Sequence, residues 1–101
     1  MPSGRTTEVE ISEAVLRILS GRPSGEATIA YIKKKIPSVI NLTAGDCEQS
    51  VTRPNEELWE QLVRNIVSHK GSEGNYIAEG YLTAPSRGKL RITNAGRDKI
   101  A

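Results

Sequence analysis

The hydropathy pattern predicts an α+β chain in which three helical stretches precede a β-hairpin and a short last helix. Before residue 75, apolar residues recur three times at helical spacing. The stretch 75–96, NYIAEGYLTAPSRGKLRITNAG, alternates instead: Tyr76, Ala78, Gly80 and Leu82 fall on one side, and Ile77, Glu79 and Tyr81 on the other. Pro85 and Gly88 supply the turn. Beyond it, Lys89, Arg91 and Thr93 alternate with Leu90 and Ile92, so cations share one face and aliphatics the other. Helices followed by a hairpin with a basic tip predict a winged helix-turn-helix of three to four helices, the hairpin being the wing. That fold most often handles nucleic acid.

Residues 1–7 read as a flexible tail and 8–101 as the folded domain. Thr7 and Glu10 form a capping-box pattern ahead of Ile11, Ala14, Val15, Ile18 and Leu19, the apolar face of a first helix. Gly21, as a left-handed cap, and Pro23 are expected to end it. Residues 25–28 read as a short extended segment. Thr28 then caps a second helix with Ile29, Ile32 and Ile36 on one face, and Pro37 is expected to stop it. Thr43 and Asp46 signal a turn of helix over 44–50, and 51–54 reads as a loop. The strongest helical signal covers 55–70, with Asn55 as N-cap and Leu58, Trp59, Leu62, Ile66 and Val67 as its apolar stripe. Gly71 and Gly74 bracket a turn, and Thr93 caps the last helix.

One hundred and one residues suffice for one modest core. With no Phe and one Trp, that core must come from Ile, Val and Leu packed around Trp59. Ile11, Val15, Ile18, Ile32, Trp59, Leu62, Ile66, Ile77 and Ile92 are expected to converge on it. The net charge of +2 says little by itself, but Arg87, Lys89, Arg91, Arg97 and Lys99 face only Asp98 after Thr83. Cys47 is the sole cysteine and His69 the sole histidine, which argues against an internal disulfide, a structural zinc site or a Cys-rich scaffold. No signal peptide or membrane span is legible, so a soluble cytoplasmic protein with no membrane partner is expected.

Several segments together resemble the N-terminal winged-helix domain of Mrr-type restriction-system proteins. These are LT at 42–43 with Asp46, TRPNEELW at 52–59, VRNIVSH at 63–69, NYIAEGYL at 75–82 and RGKLRITNAG at 87–96. The likeness runs from about Val9 onward. It implies a DNA-binding or target-recognition module, normally joined to a separate nuclease domain. That nuclease needs an Asp with a Glu-x-Lys to hold a divalent metal; no Glu-x-Lys occurs, and the sequence ends at Ala101 where the family would continue. No catalytic residue, metal or cofactor is therefore expected. Double-stranded DNA is the expected partner, with a nuclease or another protein as a further one.

Arg87, Lys89 and Arg91 on the 83–91 wing are the first candidates for phosphate contacts; the alternative is an edge strand charged against aggregation. Arg53, Gln61, Arg64, Asn65 and Ser68, on or beside the third helix, are the candidates for major-groove contacts, because Arg and Asn or Gln can bond base edges in pairs. Glu56, Glu57 and Glu60 oppose that docking, and Glu60 with Arg64 would otherwise form a surface pair. Lys33 and Lys34 are candidates for secondary phosphate contacts. Asn65 and His69, four apart, are expected to fix the helix end. The other reading is a winged helix that meets another protein rather than DNA.

Overall fold

The computed structural model describes residues 6–50 and 55–101. They form α1 (Glu8–Ser20), β1 (Glu26–Thr28), α2 (Ile29–Val39), α3 (Leu58–Ser68), β2 (Leu82–Thr83), β3 (Lys89–Ile92) and α4 (Asn94–Ile100). The three strands make one antiparallel sheet in the order β1-β3-β2. Four helices with this sheet give a small α+β fold, compatible with a winged-helix-like arrangement. The expected loop at 51–54 lies outside the described residues.

α1 begins as its sequence predicts. Thr7 Oγ1 accepts from the Glu10 N–H at 3.1 Å, and the Glu10 carboxylate accepts from the Thr7 N–H at 2.8 Å. Thr6, read as part of the tail, is held as well: its N–H and Oγ1 both donate to Asp46 at 2.6 Å. Ile11, Ala14, Val15, Leu16 and Leu19 of α1 are buried. Gly21 is right-handed, with φ −83°, rather than left-handed. Gly21 and Arg22 N–H groups close tight turns onto Ile18 and Leu19, so the reversal is deferred to Gly25, whose φ is +73°.

β1 sets Glu26 opposite Arg91, Ala27 opposite Leu90 and Thr28 opposite Lys89, and on the far side of β3 Leu82 lies opposite Ile92. Ala27, Leu82, Leu90 and Ile92 are buried, which leaves Lys89 and Arg91 on the outer face of the sheet. In α2, Thr28 Oγ1 caps the Tyr31 N–H at 3.0 Å, and Ile32 and Ile36 are buried. Pro37 does not stop α2, which runs on to Val39. The proline sits in the last turn, where it removes a single hydrogen bond, and the Ile40 N–H still reaches Ile36 O at 3.1 Å.

Residues 44–50 form turns rather than a helix, and Gln49 makes an isolated bridge with Glu57. This pairing also shortens α3. The Leu58 and Trp59 N–H groups donate to Glu48 O and Asp46 O at 2.9 and 3.0 Å, so residues 55–57 are drawn out of the helix and Glu57, not Asn55, is the N-cap. Glu60 accepts from the Glu57 N–H at 2.8 Å. Trp59, Val63 and Ile66 are buried, Val63 being an addition to the expected stripe, and Leu62 and Val67 pack partly buried beside them.

The expected first hairpin strand is mostly a turn. Asn75 Oδ1 accepts from the Ile77 and Ala78 N–H groups at 2.8 and 3.2 Å, while its Nδ2 donates to Ile66 O at 2.9 Å. Those local bonds, with Gly80 at φ +88°, coil 76–80 and leave only Leu82–Thr83 extended. Thr93 Oγ1 accepts from the Gly96 N–H and donates to Gly80 O. Gly96 is pressed against the Tyr81 carbonyl and, 2.8 Å from where a Cβ would stand, the side chain of Ile92. Of the nine residues expected in the core, Ile11, Val15, Ile32, Trp59, Ile66 and Ile92 are buried in one cluster, and Ile18, Leu62 and Ile77 pack against it partly buried.

Candidate nucleic-acid interface

The C-terminal half of α3 and the β2–β3 hairpin face each other across a groove. A cleft of about 290 Å³ is lined by Val67, Lys70, Ala84, Ser86, Arg87, Gly88 and Lys89. Adjoining it, a cleft of about 190 Å³ is lined by Ile29, Arg64, Val67, Ser68 and Gly88. Gly88, at φ +77°, makes the hairpin turn, and its carbonyl accepts from the Ile29 N–H at 2.8 Å. The tip is thereby fastened to the start of α2, and the groove is a feature of the fold.

Four cations, Arg64, Lys70, Arg87 and Lys89, border this groove, together with the hydroxyls of Ser68 and Ser86. Such a lining suits a phosphodiester strand, since small residues allow close approach and the cations meet its charge. Arg87 and Arg91 are exposed and, among the described residues, form no ion pair. Lys89 lies 3.6 Å from Glu26. Arg91 projects from the outer sheet face between Glu26 and Thr83.

The other half of α3 is arranged differently. Arg64 Nε donates to Glu56 Oε2 at 2.7 Å, and Lys33 Nζ reaches the same oxygen at 3.1 Å and Glu60 at 3.6 Å. The expected Glu60–Arg64 pair is thus replaced by three contacts in which Arg64 meets Glu56 and Lys33 meets both Glu56 and Glu60. Burial pulls the Glu56 carboxyl upward, but the hydrogen bonds from Arg64 and Lys33 and their positive charges outweigh it, and its pKa lies below the ordinary value. Gln61 is also engaged, accepting from Ser50 Oγ at 2.8 Å.

Asn65 is half-buried at the margin of α3, and Ser68 is exposed. The Asn65–His69 link is made by the backbone, His69 N–H to Asn65 O at 2.8 Å, while the His69 ring lies 3.1 Å from Glu8. Lys34 is exposed on α2, apart from the groove, and Arg53 lies outside the described residues. Lys70 and Ser86 carry no signal of a site in the sequence, because only the fold brings the helix end up to the hairpin. A second cationic spot is also new: the Arg22 guanidinium stacks 4.3 Å from the centre of the Tyr31 ring, with Lys35 Nζ at 5.6 Å.

Among the described residues, no group of three or more His, Cys, Asp or Glu side chains is placed to hold a metal ion. No helix among them is long and apolar enough to cross a membrane. Set against protein-family models, curated proteins and solved structures, the chain matches none.

Proposed function

We propose that the chain is a winged helix that binds double-stranded DNA, with α3 as the recognition element and the hairpin on the neighbouring backbone. The observation that carries this reading is the groove bordered by Arg64, Ser68, Lys70, Ser86, Arg87 and Lys89. Its lining supports docking through the C-terminal half of α3, away from Glu56, Glu57 and Glu60. Ser68 and Asn65 would then lie nearest the bases, and Arg87 and Lys89 nearest the phosphates. The motif likeness to restriction-system proteins supports target recognition as the biological setting, in the cytoplasm and alongside a nuclease. No catalysis is assigned to this chain.

The test is fluorescence anisotropy with unrelated duplexes at two salt concentrations. Binding that weakens steeply as salt rises is expected, because neutralised phosphates release counterions. No binding at low salt would overturn the reading. One observation favours a protein partner instead: Val9 and Val39, 53 % and 37 % exposed, flank a cleft of about 540 Å³ between α1 and the end of α2. That reading takes over if duplexes do not bind.

A further inference from the structure

We infer that Glu56 is an internal competitor for DNA phosphate, withholding Arg64 and Lys33 from non-specific contacts. This inference rests on the DNA-binding reading above. Its basis is geometric. One carboxylate oxygen, on a residue only 8 % exposed, is shared by a cation from α2 and a cation from α3. Arg64 is the consequential partner, because its side chain is still 42 % exposed and lines the groove beside the hairpin. Its Nε is occupied by Glu56, and a guanidinium offers five N–H donors in a fixed fork.

A phosphate reaching the groove edge must compete with a carboxylate already in place. Glu56 is anchored by more than these side chains, since its backbone carbonyl accepts from the Ser50 N–H at 2.9 Å and from Gln49 Nε2 at 3.0 Å. The acid therefore stays while Arg64 is the group free to swing. Random DNA, which offers only phosphates, leaves the pair intact. A site that presents a well-placed acceptor, such as a guanine edge, can draw Arg64 away. Repelling the wrong ligand as well as attracting the right one is how specificity is gained at the expense of raw affinity.

The experiment is a double-mutant cycle read by anisotropy on a random duplex across a salt series. Glu56→Gln keeps the shape and removes the charge. It should tighten binding several-fold and steepen the salt slope by about 0.9 for each cation released. Arg64→Gln should cost less salt slope in the wild type than in the Glu56→Gln background, where it should remove about 0.9, and that difference is the coupling the cycle reads. If wild type binds and Glu56→Gln binds no tighter with an equal slope, the competitor role is overturned while DNA binding stands. If neither protein binds, DNA binding itself fails. Should Glu56→Gln not fold, Arg64→Gln decides alone: loss of about 0.9 of slope relative to wild type means that Arg64 already neutralises a phosphate, which overturns the inference.

Discussion

Asp46 and Glu56 are both buried carboxyls whose partners keep them ionised. Asp46 is drawn upward by burial, yet bonds from Thr6 and Thr43 leave its pKa below the ordinary value. Because both groups titrate lower in the folded chain than in the unfolded one, the folded state gives them up to protons less readily. Their stabilising effect is therefore complete above the unfolded carboxyl pKa of about 4 and is lost as pH falls through the lower folded values. The urea midpoint should decline steadily below about pH 5. Asp46→Asn and Glu56→Gln should each be less stable than wild type at pH 7 and show a flatter decline; an equal slope in both variants would refute the assignment. Asp46 was legible as a capping residue from its spacing to Thr43. Its bonds to Thr6 were not, because forty positions separate them.

Local signals are legible in the sequence and long-range competition is not, as the elements around the candidate groove show. Thr7, Thr28 and Thr93 cap helices where they were expected, each acting within three residues of its own position. The start of α3 moved because Asp46 and Glu48 carbonyls, from a distant loop, took the N–H groups of Trp59 and Leu58. Alternation in 76–82 suggested a strand, but Asn75 offered the backbone nearer partners. The basic hairpin itself was legible, and it can be tested as a unit. Replacing Arg87, Lys89 and Arg91 with Gln should weaken binding to every duplex alike and make the salt slope shallower by about 0.9 per lost contact. An unchanged slope would leave these cations as a charged sheet edge and favour a protein partner.

At the scale of the whole molecule, the α+β class and most of the core were legible because apolar periodicity registers burial directly. Trp59 is the largest side chain in that core and remains 7 % exposed. Trp59→Ala should cost about 3–5 kcal/mol, a large share of the stability of a domain this size, and calorimetry should record a correspondingly lower Tm. A fall of under about 1 kcal/mol would mean that the helices do not converge on this residue. The candidate groove was only half legible. Arg87 and Lys89 announce themselves by alternation, whereas their juxtaposition with Ser68 and Lys70 depends on Gly88 being tied to α2.

The sheet order has a consequence for how the chain comes together in time. β3 is the middle strand, and Glu26 near one end of the chain must find Arg91 near the other before β1 has any partner. Helical stretches of this kind order within about a microsecond, but pairings between such distant segments are slower by orders of magnitude. On a ribosome the wait is longer still, at roughly 5–20 residues per second. Until Leu90 and Ile92 leave the exit tunnel, α1 can pack on α2 and α3 but the side of it that meets β3 has no partner. For those seconds the nascent chain carries an uncovered aliphatic surface, and that interval is when a chaperone would find it.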